Sequence, residues 1–302
     1  AFVRNMGSSS ARIVDLSKLG LRLATEHDFL AKADLDESIK PLLMDTFSIP
    51  RLCMSRLAHL HHLLDVIPDS FQDSLGNKFV EHLQAWVDYE KQVAPAMAAG
   101  FNGIPAAMEP GTECELAASM LDVFHKLPSW AAEFLETLTL EDKSSRPGLV
   151  VLTIGLEHCL PSLPGPANAS VCWSPYRDPL VRYLSRYPDK AVDYFVKTSA
   201  RLSSSDYFTL FLDIVQHPSG KALLNHLKQC EDIILDALKG SGQDAQLTKD
   251  AQRNCILMVR AICDISPDWL PRNVFEACRG VWESGTVEAR PFADLTTVLL
   301  NF

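Results

Sequence analysis

Apolar residues recur at steps of three and four along most of the chain, so the hydrophobic pattern predicts helices almost throughout. Phe71, Leu75, Phe79, Leu83 and Val87 fall four apart, with Trp86 beside them. Leu116, Met120, Val123, Phe124 and Leu127 form a second stripe. Such spacings put the apolar side chains on one face of a helix. Start and stop signals agree. "TECE" at 112 to 115 has the form of a capping box ahead of its stripe. Asp178 and Pro179 read as an N-cap and first helical position, and "SSSD" at 203 to 206 precedes "YFTLFLDIV". Gly240 ends "ILDALKG" as a residue just past a helix. The stretch "LVVLTIGLEHCL" at 149 to 160 fits a buried helix or a short strand, and its helical neighbours favour helix.

The pattern repeats. "LAHLHHLLDVIPDSFQDSLGNKFVEHLQAW", "LAASMLDVFHKLPSWAAEFLETL", "PLVRYLSRYPDKAVDYFV" and "MVRAICDISPDWLPRNVFEACRGVW" each pair two amphipathic stretches around a break that carries proline. The prolines are Pro68, Pro128, Pro188 and Pro267, and Asp follows three of them directly. Proline lacks the N–H that a helix interior needs but suits a first turn, where Asp can accept orphan N–H groups. Pro188 therefore opens a new helix rather than kinking an old one. Repeated helical pairs imply an all-α fold, an irregular HEAT-like α-solenoid of paired antiparallel helices. The prolines stand 60, 60 and 79 residues apart. The longer interval has room for an extra helical pair at about 204 to 240, and "HPSGK" at 217 to 221 reads as a helix–helix turn within it. Residues 1–302 form one repeat segment, interrupted by Pro/Gly-rich loops at 91–111 and 142–175 and a polar turn at 240 to 246. The chain opens without Met and ends in a helical pattern, which predicts a piece of a longer protein.

Composition narrows the function classes. A net charge of -10 and no basic stripe argue against direct nucleic-acid binding. No apolar run reaches the roughly 18 residues of a membrane span, so no membrane partner is expected. The eight cysteines contain no C-x-x-C pair, and several sit on apolar helix faces, as in a reducing compartment.

Candidate chemistry is sparse. His59 and His62 in "HLHH" lie three apart and could supply half a zinc site, but no further ligand pattern completes it. They read as a packed or solvated helix face. Nucleotide-binding glycine loops and the G-x-S-x-G nucleophile motif are absent. Adjacent carboxylates such as Glu141 and Asp142 diverge on a helix, and the tryptophans fall on or beside the apolar stripes. No catalytic residue, metal or cofactor is assigned. The residues alone leave open a HEAT scaffold of any kind, with an enzyme on a helical fold as the remote option.

"SPYRDPLVRYLSRYPDKAVDYFV" at 174 to 196 resembles a run in the helical-repeat region of the TRRAP family, the large pseudokinases related to the PIKK kinases. Tyr176, Arg177, Asp178, Pro179, Leu180, Tyr183, Leu184, Arg186, Tyr187, Pro188, Val192 and Phe195 carry the match. Flanking stretches are similar in order, so the resemblance covers roughly residues 50 to 302; residues 1 to 48 are not placed by it. The loop at 142 to 175 is longer than the family pattern. The resemblance implies a nuclear, non-catalytic scaffold in histone acetyltransferase coactivator complexes of the SAGA type. It also implies a HEAT surface facing transcription activators and neighbouring subunits. No family catalytic residue maps here. The motif residues are expected to be structural or partner-facing. The alternative is another HEAT scaffold, a nuclear-transport receptor or a different PIKK solenoid.

Overall fold

The computed structural model describes residues 1–27, 29–46, 52–71, 73–98, 110–127, 148–159, 174–240, 245–285 and 289–300. Among these residues every regular element is helical: sixteen α-helices and two 3-10 turns, without a strand. The fold is all-α, as the periodicity predicts. Two compact units divide the chain, the first running through Tyr183 and the second from Leu184 onward.

The first unit holds α1 (Phe2–Asn5), α2 (Ala11–Glu26), α3 (Lys32–Thr46), α4 (Met54–Leu64), α5 (Asp73–Ala98), α6 (Pro110–Phe124), α7 (Leu149–Cys159) and α8 (Arg177–Leu184). Its core is built by the stripes read from the sequence. Phe79 and Leu83 are fully buried on α5, and Met120, Val123 and Phe124 on α6. Helices two apart in sequence touch: α2 meets α4, α4 meets α6 and α5 meets α7. Pro68 opens a 3-10 turn, Pro68–Ser70, between α4 and α5.

The second unit holds α9 (Pro188–Val196), α10 (Ser199–Ser203), α11 (Ser205–Gln216), α12 (Lys221–Gln229), α13 (Glu231–Lys239), α14 (Ala245–Ile265), α15 (Arg272–Glu283) and α16 (Ala289–Leu300). The long α14 packs against α10, α13 and α16. Its buried face is made by Cys255, Ile256, Met258, Val259, Ile262 and Cys263. Cys53, Cys114, Cys230, Cys255, Cys263 and Cys278 are free thiols. Burial pushes Cys263 up to about 11 and Cys278 up to about 12, so these thiols behave as small apolar groups.

Several expectations hold and several shift. Residues 149 to 159 are helix, as their neighbours suggested. Pro188 is the first residue of α9, with Tyr187 as its N-cap. Gly240 caps α13 at φ 70°, the left-handed region that favours glycine. The helix signalled by "TECE" begins at Pro110, three residues before the first position that the capping box predicts, because a proline is well accommodated at a first helical position. Likewise α8 starts at Arg177, so Asp178 lies inside the first turn. Proline is tolerated there because first-turn N–H groups lack intrahelical partners. α5 runs to Ala98, into the expected loop at 91–111; alanine at 94, 96 and 98 favours helix. The segment 204 to 240 holds three helices rather than a pair, because the 3-10 turn Pro218–Gly220 and Cys230 break it twice. Pro267 stands in a turn, and α15 starts five residues later, after Pro271. Pro128, Trp130, Cys172 and most of the expected loop at 142–175 lie outside the described residues.

Candidate interaction site

The family-like run at 174 to 195 is the first candidate, and the unit boundary passes through it. In the first unit, Tyr176 and Tyr183 are fully buried, with Leu180 beside them in the core. Pro179 is buried as well. The backbone N–H of Tyr176 donates to Ser174 Oγ at 3.4 Å, which fixes the chain just ahead of α8. Arg177 clasps Glu157 of α7 with both arms, Nε to Oε1 at 2.7 Å and a terminal nitrogen to Oε2 at 3.3 Å. A two-pronged guanidinium–carboxylate contact fixes direction as well as distance. It locks the start of α8 to α7.

In the second unit, Leu184, Val192 and Phe195 are buried. The Phe195 ring stacks on Phe211 at 4.8 Å and meets Tyr194 edge-on at 5.1 Å. The Arg201 guanidinium lies 3.9 Å over the Tyr194 ring and also donates to the Tyr194 carbonyl at 3.1 Å. Burial pushes the Tyr194 hydroxyl pKa up, so it stays neutral. Arg186 is exposed and sits 5.8 Å from the centre of the Tyr187 ring. Ser185 Oγ donates to the Ser219 carbonyl at 3.1 Å, pinning the α8–α9 turn to the Pro218–Gly220 turn. Most apolar members of the run are therefore interior, while Arg182, Arg186, Asp189 and Lys190 are exposed.

A second feature was not read from the sequence. A seam of ion pairs links alternate helices of the first unit. Asp65, at the end of α4, accepts from Lys18 of α2 at 2.9 Å and from Lys126, just after α6, at 2.7 Å. Asp122 Oδ1 of α6 lies 3.2 Å from His125 Nδ1 and forms an ion pair with Arg182 of α8 at 3.1 Å. His61 Nε2 donates to the Ser119 carbonyl at 2.9 Å, while its Nδ1 lies 4.0 Å from Asp122. Burial disfavours the charged form of Asp122, but His125, Arg182 and His61 outweigh it and hold the carboxyl below its usual range. Burial, helped by Lys126, pushes His61 below the ordinary imidazole value. A signal existed: Leu-Asp-Val occurs at 64 to 66 and again at 121 to 123, both ahead of a proline.

Among the described residues no group of three or more His, Cys, Asp or Glu side chains could hold a metal ion. Of the candidate pair, His59 Nε2 lies 2.6 Å from the Val3 carbonyl, while burial and the nearby Lys18 push His62 below the ordinary imidazole value. In the second unit a cavity of about 320 Å³ is lined by Val196, Ser199, Leu202, Asp236, Gly240 and Thr248. No described helix is long and apolar enough to cross a membrane.

Comparison with known families settles which kind of helical repeat this is. The description "Tra1 HEAT repeat ring region" matches residues 1–296. The chain belongs to this family. The Tra1 match reaches residue 1, so it also takes in residues 1 to 48, which the motif resemblance left unplaced, and it sets aside the transport-receptor alternative. Curated relatives agree. "Probable transcription-associated protein 1" of Dictyostelium discoideum is 26% identical over 85% of this chain and 5% of its own length. "SAGA complex/NuA4 acetyltransferase complex subunit TRA1" of Saccharomyces cerevisiae is 27% identical over 78% of this chain and 6% of its own length. "Transformation/transcription domain-associated protein" of Mus musculus is 20% identical over 96% of this chain and 11% of its own length. The chain thus spans a small fraction of the Tra1-type proteins it matches.

Proposed function

We propose that this chain is a non-catalytic scaffold segment of a nuclear, TRRAP-like subunit of histone acetyltransferase coactivator complexes of the SAGA type. The observation that carries this reading is the match to the Tra1 ring over residues 1–296. The yeast relative, named as a SAGA and NuA4 subunit, supplies the kind of assembly. Residues 1–302 act as one repeat segment, with the loops at 91–111 and 142–175 as interruptions. The segment presents a helical surface to transcription activators and neighbouring subunits, and binds neither nucleic acid nor membrane directly. Solenoids suit this work because stacked helices expose broad surfaces without needing a closed pocket. The acidic charge of -10 supports protein rather than nucleic-acid partners.

Within the motif, Tyr176, Pro179, Leu180, Tyr183, Leu184, Val192 and Phe195 serve as interior packing. Arg177, Asp178, Tyr187 and Pro188 set where α8 and α9 begin. Arg186 is the exposed member of the set. The test is capture of the intact native protein with an antibody to this segment, followed by identification of what accompanies it. A chain many times longer than 302 residues, bringing down acetyltransferase subunits and activity on histones, is expected. A short chain, or one accompanied by Ran and transport cargo, would overturn the reading.

A further inference from the structure

The cavity of the second unit has a buried polar group at its wall. Val196 of α9, Leu202 of α10, Ile233 and Ala237 of α13 and Ala251 of α14 make its apolar lining. Gln252, the next residue of α14, is 8% exposed. Its Nε2 donates to the Leu238 carbonyl at 2.7 Å. A carbonyl only accepts, so this bond fixes which end of the amide is nitrogen. The other end, Oε1, is buried and finds no donor among the described residues. Gly240 and Thr248 line the cavity, and the amide lies against both. A Cβ on Gly240 would stand 2.4 Å from Thr248 Cγ2 and 3.1 Å from Gln252 Nε2. Glycine thus keeps the approach to the amide open. A buried amide oxygen without a donor is unfavourable and calls for a partner that brings one.

Size and charge narrow what that partner is. A volume of about 320 Å³ is at the small end of the roughly 300–1,000 Å³ of ligand sites, room for one large side chain. Lys197 and Asp236 stand at the rim, largely exposed, and are paired with Asp193 and Lys239. The rim charges balance, so neither an anion nor a cation is selected. The fitting group is neutral and mostly apolar, and carries one donor. The indole of tryptophan has this make-up: a large apolar body and an N–H that only donates. Tryptophan is also enriched among the anchors of protein interfaces. We propose that this cavity receives a tryptophan side chain of a protein partner, whose indole N–H donates to Gln252 Oε1. The inference rests on the reading of the chain as a scaffold and names the chemistry of one of its contacts.

The test uses the intact protein purified from cells. Saturation-transfer NMR titrations give the Kd of N-acetyltryptophanamide and of the same probe methylated on the indole nitrogen. The methylated probe is expected to bind about fivefold more weakly, the effect of one lost hydrogen bond to a buried group. Ala237→Leu, which fills the cavity from its own wall, should abolish binding of both probes, while Gln229→Leu on exposed α12 surface should leave it unchanged. Equal affinity of the two probes, or full binding to Ala237→Leu, would overturn the proposal. The comparison of probes needs no variant, so it stands even where Ala237→Leu fails to fold. The partner is read by placing a photo-reactive leucine analogue at Ile233 of the intact protein. The expected adduct is a tryptophan-containing peptide of another polypeptide. A link within this chain, a small-molecule adduct or a peptide without tryptophan would contradict the assignment. Chain size and accompanying acetyltransferase subunits, read on the same sample, test the scaffold reading separately.

Discussion

Phe195 and Asp122 show how single residues hold the two units. Phe195 is nearly fully buried and stacked on Phe211. Phe195→Ala is expected to cost about 3–5 kcal/mol in urea unfolding, from lost transfer energy and the cavity left behind. A loss under about 1 kcal/mol would show that the α9 register is wrong. Asp122 answers to His125 and Arg182 together, and its removal strands partly buried donors. Asp122→Ala should therefore cost roughly 1–3 kcal/mol. Arg182→Ala should cost less than about 1 kcal/mol, since Arg182 is half-exposed and water replaces its partner. Equal costs would contradict that asymmetry. The pH response follows from the same groups. His61 has a folded pKa below its unfolded value, so protons bind the unfolded chain better. Its contribution is complete above about pH 6.5 and declines as pH falls below it. Asp65 and Asp122 have lowered folded values, so their contribution is present above about pH 4 and is lost as pH falls further. Thermal melts should show stability declining below pH 6.5, with His61→Gln flattening part of the first decline. A gain in stability on acidification would contradict the seam.

At the scale of helices and turns, the periodic stripes were legible because burial and periodicity are the same fact seen twice. Phe71, Leu75, Phe79, Leu83 and Val87 are all buried on or just before α5. Pro188 was legible because its missing N–H leaves few positions it can hold. Pro188→Ala should change stability by less than about 1 kcal/mol, since alanine also suits a first turn. Gly220 was not legible. Its φ is ordinary, but a Cβ there would stand 2.1 Å from the Ile214 carbonyl oxygen. Gly220→Ala should thus destabilise the second unit more than Pro188→Ala does, because a backbone atom cannot step aside. Comparable effects in matched urea melts would show that the α11–α12 turn has slack. Helix starts at Pro110 and Arg177 were misread by two or three residues because proline fits anywhere in a first turn. The ion seam was missed because its partners come from α2, α4, α6 and α8, and pairing across such separations is a property of packing. The recurrent Leu-Asp-Val was its only trace in the sequence.

For the whole molecule, the sequence carried the fold class and the motif carried the family, while the site stayed almost silent. The reason is physical. A scaffold surface needs no fixed constellation of catalytic groups, so it leaves no spacing to read. The residues that carry the family resemblance, by contrast, include interior side chains such as Tyr176, Tyr183 and Phe195. The central claim is that this segment assembles an acetyltransferase complex and takes no part in its chemistry. The most direct measurement compares the intact protein with its Phe195→Asp variant, each purified by a tag, for acetyltransferase subunit recovered and for activity per mole of that subunit. The account predicts that recovery falls with the disrupted core while activity per catalytic subunit is unchanged. Full recovery with lower activity per subunit, or no acetyltransferase with either protein, would contradict it.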